Sequence, residues 1–344
     1  MGTVLKFTGV DELAEGEFPL DGVRADGTYE GAKGGTEMMR DKLHERVDKE
    51  LIDEFNWYHS RINGPVPEDG HNLLWLHDMW DDPQVQHLKD EKSRARFEKL
   101  LFVSHWQQWC YVMGLGIPYQ EGVVMQNAIE PIEMGQPQKK TTDVIRLIYH
   151  TTPHRGLDLL APIFRKLTEL LKDEIELHLD VFSSFQIYGP KYGEQDENFK
   201  DIFDDLKSQD NVTYHGYQPN EVVREALKEA HIFAYPCTWP ETSCISVMEA
   251  MSAQCAVICP NFAALPETTA NWASNYPMHE NKEWHANMLL NVCMGVVKNY
   301  WDENLQNKLS HAKMFVDNFY NWDMRAAQWT GLLRGLIDSR GDTR

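Results

Sequence analysis

The chain has 344 residues, 42% hydrophobic and 25% charged, which is enough for two separately cored domains of an ordinary globular protein. Its formal net charge of −20 argues against a nucleic-acid backbone as partner, since such partners need a basic footprint. The acidic total also disfavours a basic-patch membrane anchor, although a small local patch at a membrane surface is compatible with it.

The opening MGTVLKFTGV lacks the basic and apolar regions of a signal peptide, and no apolar run is long enough to span a bilayer. Cys110, Cys237, Cys244, Cys255, Cys259 and Cys293 sit mostly in apolar runs. They read as small buried residues in a reducing compartment rather than as disulfides or zinc ligands. A cytoplasmic protein without an integral membrane segment is the expectation.

In chain order, a Gly-rich turn at 31–37 contains Gly34 and Gly35 and opens a helical pattern from about Thr36 to Val47. Such a turn lets backbone approach a phosphate closely, and a simple turn and cap is the plainer alternative. Phe55–His59 and Asn72–His77 read as short strands. His77 therefore falls at the carboxyl end of a strand, where ligand crevices open in α/β sheets; the alternative is a strand cap paired with Asp78. Residues 97–103 form another strand, Ser104 starts a helix, and residues 123–127 form a further strand. Residues 130–142 are polar, with Pro and Gly and no apolar period, and read as a linker.

Ile145–Tyr149 opens the second half as a strand. After a turn containing Pro153, a helix is expected near Arg155–Gly156, which sets a cation at the carboxyl end of the sheet beside a helix start. Strands follow at 177–182, 211–216, 232–236 and 255–259; the acidic stretch Glu194 to Asp205 reads as an excursion, and 222–230 as an amphipathic helix. Alternating strands and helices predict parallel, doubly wound sheets. Tyr235 to Thr269 holds Glu241 and Glu249, eight positions apart. Thr242 or Ser243 is expected to cap a helix, with Glu249 about two turns inside it. The two carboxylates would clamp an extended ligand, and the free N–H groups at the helix start favour a diphosphate. After Glu267 the pattern is helical and aromatic, ending in an apolar-periodic helix from Met324 to Ile337.

The order Gly-Gly-Thr-Glu, His77, Arg155-Gly156, His215-Gly216, Glu-x7-Glu and Pro266-Glu267 resembles that of retaining glycosyltransferases of family 4, also described as glycosyl transferases group 1. The resemblance covers most of the chain and is strongest from about 143 to 270. It implies a GT-B fold, an α/β architecture of two Rossmann-like domains facing across a cleft. Residues 1–138 would be the acceptor-side domain, 139–320 the donor domain, and 321–344 a helix crossing back. Acceptor choice would lie in the irregular residues 10–35 and 60–82.

The same resemblance implies a nucleotide-sugar donor, with Glu249 on the ribose and Arg155, Gly35, His150 and the backbone at Ser243, Cys244 and Ile245 on the diphosphate. Gly34 belongs to the same diphosphate loop. Gly216 and Tyr217 would face the nucleobase, Glu241 the sugar hydroxyls and His77 the sugar's other edge. His150 stands where the family usually has Arg. A partly charged imidazole there implies an activity that declines as pH rises through its titration. Ala128 and Gln254 stand where glycine is frequent. No D-x-D occurs, so no metal or other cofactor is expected. Two other functions stay open: a non-catalytic GT-B protein that binds a nucleotide-sugar or glycan, and a nucleotide-sugar epimerase.

Overall fold

The computed structural model describes residues 33–68, 70–134, 140 and 143–341. The first 32 residues, part of the expected acceptor region among them, lie outside the described residues. The first half runs α1 (Gly35–Arg46), α2 (Lys49–Asp53), β1 (Asn56–His59), β2 (Asn72–Leu76), α3 (Glu91–Arg94), β3 (Lys99–Phe102), α4 (His105–Leu115) and β4 (Gly122–Val124). Its four described strands are all parallel, in the order β1-β2-β3-β4. All five residues of β2 are buried, because helices cover both faces of a parallel sheet and leave no polar alternation.

The second half runs β5 (Val144–Tyr149), α5 (Leu157–Leu171), β6 (Glu176–Val181), α6 (Lys200–Lys207), β7 (Val212–Tyr214), α7 (Asn220–Glu229) and β8 (Ile232–Ala234). It continues through α8 (Ile245–Ser252), β9 (Ala256–Asn261), α9 (Leu265–Thr269), β10 (Ser274–Pro277), α10 (Lys282–Lys298), α11 (Glu303–Phe319) and α12 (Trp322–Gly341). Its six described strands are parallel in the order β10-β9-β8-β5-β6-β7. Counted from β5, this is the doubly wound 3-2-1-4-5-6 order. In α5, Leu157, Leu160, Phe164, Leu167 and Leu171 recur on one helical face and are buried against the sheet.

The acidic excursion is helical, a 3-10 segment from Pro190 to Phe199 followed by α6, whose Phe203 and Leu206 are buried beneath its charges. One expectation needs correction. The region after Glu267 is not wholly helical: β10 is an edge strand whose single buried residue, Tyr276, leaves almost no periodic signal.

The last helix returns to the first half. Trp322, Trp329 and Leu333 share one apolar cluster with Leu43, Leu73, Trp75 and Leu101. All six cysteines are buried and unpaired. No described helix is long and apolar enough to cross a membrane.

Candidate active site

In a doubly wound sheet the chain leaves β5 toward one edge and later passes to the other through β8. This opens a crevice outside the carboxyl ends of these two strands. His150 directly follows β5, and Tyr235 directly follows β8. From β5 the chain makes a 3-10 turn, Pro153–Arg155, and enters α5 through Gly156 at φ +106°. A Cβ at Gly156 would overlap the carbonyl oxygen of Pro236, so the two strand-end loops meet there without a side chain.

That contact sets Arg155 against Glu241. The Arg155 guanidinium donates to the buried Glu241 carboxylate, which also accepts the Tyr235 hydroxyl. Arg155 Nε donates to Thr152 Oγ1 at 2.9 Å, and Nη2 reaches the Tyr188 hydroxyl at 3.4 Å. Burial pulls the Arg155 pKa down, but Glu241 and the neighbouring tyrosines outweigh it and hold the guanidinium charged. The residues expected on diphosphate and on sugar are thus joined in one ion pair of zero net charge.

Helix α8 carries the second carboxylate. Its N-cap is Cys244, with no side-chain cap, and not Thr242 or Ser243. The Thr242 hydroxyl donates instead to the backbone carbonyl of His77 at 2.7 Å, tying this loop to the end of β2. Glu249 is the fifth residue of the helix, little more than one turn in, not two. It is buried and accepts from Arg224 at 2.8 Å and from Asn220 at 3.3 Å on each oxygen. Burial raises its pKa, and Arg224 opposes that rise. The two glutamates are therefore held by different cations, one from the β5 loop and one from α7.

The histidines differ most from expectation. Nε2 of His150 and of His77 and Nδ1 of His154 are buried without a hydrogen-bond partner. Burial lowers the pKa of each to about 3, with Arg61 adding to the effect at His77 and Arg155 at His154. His150 packs on Phe233 with ring centroids 4.5 Å apart and is neutral, so it carries no titrating charge for a phosphate near neutral pH. His77 does follow β2, but Asp78 pairs with Arg61 at 2.9 Å rather than with His77.

The first half faces this crevice through α1. A Cβ on Gly35 would lie 3.3 Å from Ile245 Cδ1, so the starts of α1 and α8 abut. A Cβ on Gly34 would lie 3.5 Å from the Tyr188 ring, and the Lys33 N–H donates to the Ile187 carbonyl at 2.8 Å. Glu267 of α9 accepts the N–H groups of His105 and Trp106 at 3.0 and 2.8 Å and the Gln126 amide at 3.1 Å. A carboxylate of one half thus caps a helix of the other. Gly216, at φ +64°, and Tyr217 lie at the carboxyl end of β7, two strands from β5. Next to them His215 stacks on Phe182 at 4.1 Å and bonds Asp180 at 2.9 Å. A surface hollow of about 620 Å³ lined by Glu68, Asp90, Lys92 and Arg96 lies on segments leading into β2 and β3, at the opposite ends of those strands.

Sequence reasoning missed Tyr188 and Arg224. Neither lies in a recognisable motif, and the spacing of Asn220 and Arg224, one turn apart on α7, is the only trace of the second. Glu267 was visible as part of Pro266-Glu267, without its role.

Two parallel α/β sheets, a site where strand-end loops of one meet a Gly-rich helix start of the other, and a last helix crossing back define the GT-B class of glycosyltransferase fold. Residues 130–289, just under half of the chain, match the family Glycosyl transferases group 1. Solved structures agree on the fold. A glycosyltransferase from Rickettsia africae superposes with a TM-score of 0.64 at 13% identity, over 90% of this chain and 84% of its own. Anabaena HepE, solved with UDP and glucose, gives 0.61 at 12% identity over 77% and 72%. A sucrose-phosphate synthase from Thermosynechococcus elongatus gives 0.59 at 15% identity over 84% and 70%. No curated protein matches the chain.

Proposed function

We propose that this protein is a retaining, family 4-type glycosyltransferase that moves a sugar from a nucleotide-sugar donor to an acceptor without a metal ion. The observation that carries the reading is the gathering of Arg155, Glu241 and the start of α8 at one switch point, with Glu249 behind it. HepE is named with UDP and glucose, which supports a nucleotide-sugar as donor. Glu249 takes the ribose hydroxyls, and Gly216 and Tyr217 face the base. The diphosphate lies between Gly34, Gly35, Arg155 and the N–H groups from Ser243 to Ile245.

On this reading the donor phosphate takes the place of Glu241 at Arg155, and the freed carboxylate turns to the sugar hydroxyls. His77 lines the sugar's other edge as a neutral group. The acceptor attacks from the face the diphosphate leaves, and a donor phosphate oxygen receives its proton, so no protein base is assigned. Arg155 and the helix-start amides stabilise the departing charge. The lack of D-x-D supports metal independence, and six unpaired, buried cysteines support a cytoplasmic setting.

One observation favours a second reading, a non-catalytic nucleotide-sugar binder: with His150 neutral and Arg155 paired, the diphosphate site has no net positive charge. A single experiment separates the two. UDP-, GDP- and ADP-sugars are screened by thermal shift, and the binders are incubated with and without chelator while free nucleotide and the anomeric proton of the product are followed by NMR. Turnover with retained configuration and no chelator effect is expected. Binding without any turnover would leave only the second reading.

A further inference from the structure

The Glu249 carboxylate has a second structural feature: the cation that holds it also reaches the segment joining the two halves. Arg224 projects from α7 with Nη1 on Glu249 Oε1 at 2.8 Å and Nη2 on the backbone carbonyl of Glu130 at 2.8 Å. Asn220, one turn earlier on the same face, donates to both Glu249 oxygens. The Glu130 carboxylate in turn is gripped by Arg46, and by Lys42 at 3.3 Å, both on α1. The guanidinium is thus forked between a buried acceptor of α8 and a carbonyl whose own residue is anchored to the first half.

We infer that Arg224 is a positioning residue for donor recognition, forked between Glu249 and the Glu130 carbonyl so that the carboxylate is ionised and aimed at the ribose. The inference rests on the donor-binding role proposed above for Glu249. A buried carboxylate without a cation takes up a proton, and a protonated acid loses acceptor capacity for a diol. The other charges around α8 do not supply that cation. Glu221 on α7 acts in the opposite sense. On α11, Lys313 is paired with Asp317 at 2.7 Å, beside Ser252 at the far end of α8. Glu241 is bonded to Arg155, and Glu267 of α9 caps α4. Lysine could replace the charge but not the fork, since a single ammonium cannot match two acceptors set for a planar guanidinium.

The test is calorimetric titration of UDP, GDP and ADP into the wild-type protein, R224M, R224K and E249A across pH 5.5 to 8.5. A nucleotide that binds the wild type should bind E249A weakly at every pH. In R224M its affinity should fall by about tenfold per pH unit on the acid side of a midpoint displaced upward from that of the wild type. R224K should keep the wild-type midpoint and bind about tenfold more weakly throughout. A structural role alone would lower the unfolding temperature and leave the pH profile in place. Identical profiles for R224M and wild type, or wild-type affinity in R224K at every pH, would overturn the inference while the donor role of Glu249 stands. Unchanged affinity in E249A, or no nucleotide binding to the wild type, would remove that role and the inference with it.

Discussion

Arg155 and the buried Glu241, 86 positions apart in the chain, form a part-buried ion pair where the loops after β5 and β8 meet. The Tyr235 hydroxyl closes on the same carboxylate. The cation best placed for a diphosphate is therefore already occupied, and an incoming anion has to compete with a protein carboxylate of the same charge.

Removing that competitor has two opposite effects. E241A leaves a partly buried guanidinium without its counter-charge, which is expected to cost about 2 kcal/mol of stability. The same variant offers Arg155 to a ligand phosphate, so UDP at a fixed concentration should raise its unfolding temperature more than that of the wild type. Urea unfolding with and without UDP checks both. Equal stabilisation of the two proteins by UDP would show that Arg155 does not meet the phosphate.

Most strands and helices were legible because strands buried in a parallel sheet are short apolar runs bounded by polar residues, as at Leu73 to Leu76 and at Ile145 to Tyr149, where Arg146 alone interrupts the run. The candidate residues were legible as positions, since His77, His150, Arg155 and Glu241 all fall just after strands or in the loops that follow them. Their partners were not. Arg155 and Glu241 come from separate loops, Arg224 looks like one more charge on an amphipathic helix, and Thr242 looks like a cap. The charge state of His150 was illegible for a different reason. It depends on a ring nitrogen shut away beside Phe233, a consequence of packing that no local pattern encodes.

Three such histidines bear on pH stability. His77, His150 and His154 have pKa values lowered from 6.5 to about 3, so below pH 6.5 the unfolded chain binds protons that the folded protein refuses. Stability is fully present above the unfolded value of 6.5 and falls with pH toward 3. Each ring contributes about 1 kcal/mol per pH unit in that window. Urea midpoints measured from pH 7.5 to 5.0 should decline, and H150Q should decline less steeply. For the same reason, nucleotide affinity in H150Q should show the same dependence between pH 6 and 8 as the wild type. H150R, which supplies a fixed charge, should bind UDP more tightly.

Gln254 follows the C-cap of α8 at φ +53°, a left-handed conformation that a residue with a Cβ adopts at a cost of roughly 1–2 kcal/mol. Glycine removes that cost but adds freedom to the unfolded chain, worth about 0.4–1 kcal/mol in the other direction. Q254G is therefore expected to be neutral or stabilising by up to about 1.5 kcal/mol. Q254V, whose branched Cβ fits the left-handed region poorly, should lose about 2 kcal/mol. Chemical denaturation ranks the three. A Q254G protein clearly less stable than the wild type would mean that the amide bond to Ser310, at 3.1 Å, outweighs the backbone strain.

Glu267 offers a separation of binding from closure. Its carboxylate lies in the donor half, yet its hydrogen-bond partners, His105 N–H, Trp106 N–H and the Gln126 amide, all belong to the other half. None of these partners is a residue assigned to the nucleotide. Ser104 still caps α4 through the Gln107 N–H, but E267A leaves the His105 and Trp106 N–H groups without their acceptor and should cost about 1 kcal/mol. It also removes a tether between the halves. The expected result is nucleotide affinity near that of the wild type, transfer slowed by about tenfold or more, and a larger radius of gyration in solution scattering. E267Q, which can still accept one N–H but has lost the charge that favours a helix start, should fall between the two. If E267A lost nucleotide affinity and transfer in equal proportion with no change in radius, Glu267 would act on the donor site itself and not on the approach of the two halves.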